Sequence, residues 1–505
     1  MYWTQGLHRF LQQHPDAAAT VFRQRQRTVR EHADRVARLA SGLRSLGLRD
    51  GEPVGVLALN SDRYAELLLA VAWAGGVLTP FSPRWGHAET TYALADSGVR
   101  LLCVDENFAA PVKQRPVLYL GDGPAPDGTR SLEAVIAENT PVEDARRGGS
   151  APAALMYTGG TTGEPKGVML SHDALCGAAL TTEATLPSGR PGSRALIATP
   201  MSHLSGLITC LIQTTFGGTQ VILPAFEPGQ VLATIERNDV THTFLIPSML
   251  RQLLDHPGVA DHDLSSLRYL LYGGAPMTES LLARASKALP QTAFQQVYAS
   301  TEMTVGTFLS DTDHADADRA RSAGRAAYNV ELRVEDPQGH TVPAGTVGEV
   351  VVRSEPMLGY RNKPAETAAV LRDGWLHTGD AGYLDQDGYL YLVDRIKDMI
   401  ITEGGNVYSA EVENALAGHP AIAACAVIGV PDEKLGERVH AVIVLHPGAM
   451  TDVDDLDHHC RNLIAPYKRP RSCEFVPELP LSGVGKPLKH QLRARYWSGM
   501  DRHIQ

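Results

Sequence analysis

The sequence predicts an α/β protein. It has a large N-terminal region of mostly parallel α/β sheets, a β-rich subdomain after Arg325, and a small α+β C-terminal domain. Three observations predict it. Apolar runs of strand length alternate with amphipathic segments of helix length through most of the chain. After Arg325 the pattern becomes short alternating runs split by DPQG and DQDG turns, which read as antiparallel hairpins. From Arg395 onward a further segment carries its own helix and strand signals and is long enough to fold as a small domain. The expected division is therefore residues 1–394 and 395–505.

The elements follow in order. Thr28 and Glu31 form a capping box ahead of VREHADRVARLASGLRSLG. In that segment Ala33, Val36, Ala37, Ala40 and Leu43 share one helical face, and Gly47 supplies the stop. VGVLAL (54–59) is continuously apolar and reads as a strand buried on both faces. Residues 62–74 read as a helix, VLTPF as a strand, HAETTYALADSG as a helix and VRLLCV (99–104) as a strand. Residues 111–150, rich in Pro, Gly and charge, read as a surface connection with one short strand, VLYL. The alternation resumes with ALIATP, TQVILP, THTFLIP and LRYLLYGG as strands. In the C-terminal domain AEVENALAGH reads as a helix, ACAVIGVP and VHAVIVL as strands, and a last helix starts near Asp452. Residues 67–81 are the most apolar stretch, but Gly75, Gly76 and Pro80 interrupt it, so it is too short to span a bilayer.

Composition narrows the function classes. With 43% hydrophobic and 20% charged residues the chain can offset its ordering entropy, which excludes disorder as its main state. The formal charge of −11 gives no long-range attraction to nucleic acid or anionic lipid, so small molecules are the expected partners. Six cysteines are scattered without a CxxC pair. That argues against a disulfide framework or zinc ribbon and for a reducing, cytoplasmic location. The N-terminus lacks the basic-then-apolar pattern of a signal peptide. The run Asp452, Asp454, Asp455, Asp457, His458, His459 and Cys460 has metal-ligating side chains, yet it reads better as the acidic start and polar face of a helix.

The strongest local feature is MYTGGTTGEPKGVMLSH (156–172). An apolar run enters a loop holding Gly159, Gly160, Gly163 and Gly167, with hydroxyls at Thr158, Thr161 and Thr162 and a cation at Lys166. Glycines let successive backbone N–H groups turn toward one point and form an anion nest. Phosphate is the natural guest. The loop is not a Walker sequence, because Lys166 lies between Pro165 and Gly167.

This loop resembles the phosphate loop T-S-G-T-T-G-x-P-K-G of the adenylate-forming superfamily of acyl-CoA synthetases, peptide-synthetase adenylation domains and firefly-type luciferases, with Gly159 in place of Ser. The resemblance extends to the C-terminal region. QVYASTE (296–302) is similar to the family's Y-G-x-T-E element. The resemblance implies that Tyr298 stacks on adenine, Thr301 touches the α-phosphate and Glu302 binds Mg²⁺. YGGAP (272–276) resembles the segment whose backbone lines adenine, through Gly274, Ala275 and Pro276. DGWLHTGD (373–380) implies a ribose-binding Asp380, and VDRIKDMI implies a nucleotide contact at Arg395 and a hinge at Lys397. LPLSGVGKPLKHQLR resembles the C-terminal loop of the catalytic lysine, here Lys486, with Pro487 and Lys489 where Ile and Arg are more usual. PMSHLSG (200–206) resembles the segment that places a histidine, His203, at the acyl pocket.

The implied activity is that of an acyl-CoA synthetase. ATP and Mg²⁺ activate a carboxylic acid to acyl-AMP, and coenzyme A then takes the acyl group. Between the two steps the C-terminal domain is implied to rotate. Gly404 and Gly405 would line the pantetheine tunnel. Lys468, Arg469 and Arg471, or Lys434 and Arg438, are the candidate cations for the cofactor phosphate. The acyl pocket is expected around His203, Leu204, Gly206, Gly273, Val305 and Gly306, which are small or apolar apart from the histidine. No acidic residue there is placed to pair an α-amino group, so a medium- or long-chain fatty acid, or an aromatic acid, is expected over an amino acid. Three alternatives stay open: a ligase loading a separate carrier protein, a luciferase-like oxidoreductase, and a non-catalytic nucleotide-binding protein. Homodimerisation is also open.

Overall fold

The computed structural model describes residues 1–108, 117–158, 165–186, 189–402, 405–432, 434–461, 463–481 and 487–497. Backbone packing divides the chain into two compact units, residues 1–332 with 352–376, and residues 333–351 with 377–505.

Unit 1 is built on two sheets. In the first, six strands run parallel in the spatial order Ala293–Tyr298, Tyr269–Gly273, His242–Leu245, Arg194–Ile197, Thr219–Ile222 and Ala18–Phe22, with antiparallel strands at both edges. In the second, parallel strands Pro152–Thr158, Val77–Pro80, Pro53–Leu57, Leu101–Val104, Val117–Tyr119 and Thr129–Ser131 follow one another. Lys166–Ser171 and Gly359–Tyr360 complete its other edge antiparallel. Parallel strands need crossovers, and the helices supply them. Helix Val29–Ser45 carries the expected Thr28/Glu31 capping box and buries Ala33, Val36, Ala37, Ala40 and Leu43. Helix Asp62–Trp73 is buried along its whole length. Residues 117–138 correct the expected surface connection, since they contain two sheet strands and the helix Leu132–Glu138, whose Leu132, Val135 and Ile136 join the core.

Helix Asp62–Trp73 carries Asp62, Arg63 and Glu66 into that interior. Burial of such groups is tolerated only when each finds a partner. Glu66 lies between Arg35, at 2.6 Å, and Arg27, at 2.8 Å, while Arg63 reaches Glu133 at 2.8 Å and Asp122 at 2.9 Å. Asp62 takes Arg25 at 2.8 Å. The network ties the Ala18–Phe22/Arg25–Thr28 hairpin to three helices.

Two of the buried histidines in unit 1 are expected to make it acid-sensitive. His32 is fully buried, and among the described residues neither ring nitrogen has a hydrogen-bond partner. Burial, reinforced by Arg27 and Arg35, pushes its pKa down to about 4. His242 accepts from the Gln213 amide at Nε2, at 3.0 Å, and faces the Thr241 hydroxyl through Nδ1. Burial pushes its pKa down to about 3. Both rings stay neutral in the fold while an unfolded chain protonates them below about pH 6.5. The unfolded state then holds more protons, so stability falls with falling pH, by about 1.4 kcal/mol per pH unit for each ring near pH 5. Denaturant titrations at pH 7, 6 and 5 are expected to show this loss. His32→Leu is expected to flatten the slope by its own share.

Unit 2 contains the antiparallel ribbon of residues 377–384 with Leu390–Arg395, in which Tyr383 stacks on Tyr391 at 4.9 Å. A three-stranded sheet follows, with Ile422–Asp432 antiparallel to Gly436–Leu445 and Ser472–Phe475 parallel to the latter. Helix Ser409–Ala417 and helix Val453–Cys460 cover one core. The acidic run near Asp452 opens the second of these helices, with the Asp452 side chain accepting from the Asp455 N–H at 2.9 Å. Leu492 of helix Lys489–Ala494 joins a second core on that sheet.

Candidate active site

The carboxyl ends of neighbouring parallel strands are where open α/β sheets hold ligands. In unit 1, Tyr269–Gly273 and Ala293–Tyr298 are such neighbours, with Gly273 opposite Val297. Gly273 is buried, and a Cβ there would lie 2.4 Å from the Val297 carbonyl oxygen, so only glycine fits. Gly274 adopts a left-handed φ of +79°. Gly274 and Pro276 are exposed and Ala275 is half-buried. This leaves a strip of open backbone beside Tyr298, which is itself half-buried at the end of its strand. A Cβ on Gly306 would sit 3.1 Å from the Tyr298 carbonyl and 3.2 Å from its ring, so Gly306 backs the aromatic side chain.

Between them the chain turns sharply. Thr304 has φ +60°, and the Val305 N–H donates to the Met303 carbonyl at 2.8 Å, closing a three-residue turn. A β-branched residue in that region costs about 1–3 kcal/mol, and such strain persists only where the surroundings impose it. The turn buries Met303 and Val305 and leaves Thr301 and Glu302 half-buried.

The phosphate-loop segment enters by Pro152–Thr158 and leaves by Lys166–Ser171, whose final register pair is Thr158 with Lys166. Gly159, Gly160, Thr161, Thr162 and Gly163 lie outside the described residues. Lys166 forms an ion pair with Glu366 and lies 5.2 Å from the centre of the Tyr360 ring. The Tyr360 hydroxyl donates to Glu302 Oε1 at 3.0 Å. Lys166 thus holds the Glu366 carboxyl below the usual carboxylate range, through its hydrogen bond first. Burial, with Glu302 adding to it, raises the Tyr360 phenol above its ordinary value. Sequence reading missed Tyr360 and Glu366. The only local signal was a polar run, GYRNKPAET, after a glycine, which is also the mark of an ordinary loop.

On the expected acyl side, His203 is the N-cap of helix Leu204–Phe216 and is half-buried, as is Leu204. Gly206 is buried, and a Cβ on it would meet the Pro200 carbonyl oxygen at 2.3 Å. The buried Asn60 fixes the approach to this helix. Its Oδ1 accepts from Met201 N–H at 2.7 Å and its amide donates to the Thr199 carbonyl at 2.9 Å.

Unit 2 holds the other residues expected at the nucleotide. Asp380 and Arg395 face each other across the ribbon, 3.5 Å apart. Asp394 accepts from the Arg395 N–H at 2.7 Å and from both the N–H and the hydroxyl of Ser409. Lys489 donates to the Ser409 hydroxyl at 2.6 Å and pairs with Glu413 at 2.8 Å. Arg493 pairs with Asp398 at 2.7 Å and donates to the Lys397 carbonyl at 3.4 Å. Burial, then Arg395, pushes the Lys397 pKa down to about 8. Lys486 and Gly404 lie outside the described residues, while Gly405 opens the strand Gly405–Val407 opposite Thr402. Leu481 and Pro487 form a bridge on either side of Lys486. The candidate CoA cations already have carboxylate partners, Lys468 with Glu411 at 2.8 Å and Arg469 with Asp457 at 2.8 Å. Arg438 lies 3.6 Å from Asp432.

Among the described residues no group of three or more His, Cys, Asp or Glu is gathered to hold a metal by itself. Glu302 as a single carboxylate fits Mg²⁺, which is commonly held by one or two carboxylates and the phosphates of a substrate.

A glycine edge, an aromatic face, a lysine and a lone carboxylate together suit a nucleoside triphosphate. Residues 7–361 match the AMP-binding enzyme family and residues 411–486 the AMP-binding enzyme C-terminal domain, and the chain belongs to this family. It is 42% identical over 474 residues to a feruloyl-CoA synthase of Amycolatopsis, covering 93% of this chain and 94% of that one. It is 36% identical to the fatty acid–[acyl-carrier-protein] ligase ScoC of Streptomyces coeruleorubidus, covering 92% and 91%. The structure of the amide bond synthetase McbA from Marinactinospora thermotolerans superimposes with a TM-score of 0.87 at 35% identity, over 98% of this chain and 100% of that one. Among the described residues no helix is long and apolar enough to cross a membrane.

Proposed function

We propose that the protein is an AMP-forming carboxylic acid–CoA ligase. The observation that carries the reading is that, in a chain of the AMP-binding enzyme family, Gly273 and Tyr298 end neighbouring strands of unit 1 while Tyr360 touches both Lys166 and Glu302, the latter in the turn after Tyr298. A carboxylate is a poor electrophile. In the first step one of its oxygens attacks the α-phosphorus of ATP and pyrophosphate leaves. In the second, the thiol of coenzyme A attacks the acyl carbonyl of the mixed anhydride and AMP leaves with the bridging oxygen.

In this reading the backbone of Gly274, Ala275 and Pro276 borders adenine and Tyr298 stacks on it. Asp380 accepts from the ribose hydroxyls, with Arg395 beside it. Thr158, the loop 159–163 and Lys166 hold the phosphates. Thr301 donates to the α-phosphate and Glu302 holds Mg²⁺, which neutralises triphosphate charge when bound. His203 stands at the mouth of the acyl pocket formed with Leu204, Gly206, Gly273, Val305 and Gly306. Lys486 stabilises the charge that develops on the α-phosphate. Residues 395–505 move about Lys397 between the steps. Gly404 and Gly405 border the thiol's path. Lys468 and Arg469 reach the cofactor phosphate only by exchanging Glu411 and Asp457 for it.

For the acid we infer an aromatic carboxylate of the phenylpropenoid type ahead of a fatty acid, supported by the 42% identity to a feruloyl-CoA synthase. A second reading, transfer to a carrier protein, is supported by the likeness to ScoC. All six cysteines are unpaired, which supports a reducing cytoplasmic location. A carboxylic-acid panel read by pyrophosphate release, with CoA, with a phosphopantetheinyl carrier or with neither, tests the assignment. AMP with an acyl-CoA product is expected. Formation of ADP, or of AMP with the carrier alone, would overturn the CoA assignment.

A further inference from the structure

We infer that Tyr360 is a positioning residue for the triphosphate site, holding Glu302 and Lys166 in register before nucleotide arrives. The inference rests on the reading of Glu302 as the Mg²⁺ ligand. Tyr360 lies on the short strand Gly359–Tyr360, opposite Val168 of the strand that leaves the phosphate loop. Its neighbours tie the same two elements together. The Arg361 N–H donates to the Gly167 carbonyl at 2.7 Å, and the Met357 N–H donates to the Glu302 carbonyl at 2.8 Å. The segment from Met357 to Arg361 therefore staples the lysine-bearing strand to the carboxylate-bearing turn through backbone.

The side chain adds the chemistry. The Tyr360 hydroxyl, on a buried ring, donates a hydrogen bond to Glu302 Oε1 at 3.0 Å, which leaves the second carboxylate oxygen for a cation. The Lys166 ammonium lies over the ring face at 5.2 Å, a favourable cation–π distance. Glu366 holds the ammonium there, with Lys363 3.5 Å from the same carboxylate group. Without such a spacer the Glu302 carboxylate would be free to take the Lys166 ammonium itself, and both triphosphate ligands would be spent on each other. Tyr360 keeps them apart while touching both. Glu366 serves as the temporary partner that a phosphate displaces.

Outer hydrogen bonds of this kind are commonly worth 10–100-fold in metal affinity. Tyr360→Phe keeps the ring and removes only the donor. It is expected to weaken Mn²⁺ binding to the enzyme–ATP complex, read by electron paramagnetic resonance, by about tenfold or more. It is also expected to raise the Mg²⁺ concentration for half-maximal pyrophosphate release by a similar factor, with excess Mg²⁺ restoring the rate. Tyr360→Leu is expected to add a loss of ATP affinity through Lys166. Glu302→Gln is the reference variant. If Glu302→Gln weakens Mn²⁺ binding and Tyr360→Phe does not, the role of Tyr360 is overturned while that of Glu302 stands. If neither variant changes Mn²⁺ binding, the Glu302 reading falls and takes this one with it. A rate loss in Tyr360→Phe that excess Mg²⁺ does not restore would mark a packing role and also overturn the inference.

Discussion

Lys486→Ala is expected to reduce acid-dependent pyrophosphate formation by at least about 10²–10³-fold, the usual cost of removing one preorganised donor from developing oxyanion charge. Thioester formation from a preformed acyl-adenylate is expected to survive, because that step attacks carbon and expels AMP rather than loading charge onto the α-phosphate. The described residues that flank Lys486 in the sequence are themselves held in place. Leu481 and Pro487 form a bridge, and the Leu488 N–H donates to the Pro480 carbonyl at 2.8 Å. Directly after it, Lys489 is held by Glu413 and Ser409, and Arg493 by Asp398. Ser409 in turn binds Asp394, next to the Arg395 that faces Asp380. Measuring both half-reactions on one preparation tests the assignment, and equal losses in the two would remove this role for Lys486.

Much of this was legible in the sequence where a side chain acts on its near neighbours. The capping box at Thr28 and Glu31 and the N-cap at Asp452 are local chemistry, and both helices begin there. The hairpin of residues 377–395 was readable from its DQDG turn. In the segment 117–138 only the strand Val117–Tyr119 was readable; the second strand has three residues and the helix seven, too short for a periodic pattern to emerge from a background of Pro and Gly. Partners distant in sequence were also hidden. Lys468 and Arg469 look like free cations in APYKRPR, yet Glu411 and Asp457 neutralise them in the fold. Tyr360 meets Glu302 across 58 positions, and Lys166 meets Glu366 from opposite ends of about two fifths of the chain.

The largest expected loss of stability comes from Glu66→Ala. Glu66 is a single carboxylate, fully buried, on a helix whose other inward residues are mostly Ala, Leu and Val. Its oxygens accept from Arg35 Nε at 2.6 Å and Nη2 at 2.9 Å, and Arg27 Nε lies 2.8 Å away as an ion pair. Both arginines are themselves mostly buried, at 15% and 17% side-chain exposure. Removing the carboxylate leaves two guanidiniums with desolvation still to be met and less charge to meet it. Breaking a buried pair in this way commonly costs about 3–5 kcal/mol. Glu66→Gln preserves volume and one acceptor, so it separates charge from packing, and is expected to recover only part of the loss. The exposed pair Arg284 with Asp255 provides the contrast, since water screens it and its removal is expected to change little. Guanidinium denaturation of the three variants beside the parent chain measures the difference. A Glu66→Ala midpoint as close to the parent as that of Asp255→Ala would mean that Glu133, which also pairs with Arg35 at 2.8 Å, neutralises the arginines without Glu66. The hairpin and helices of the N-terminal edge would then be held by charge from Glu133 rather than from Glu66.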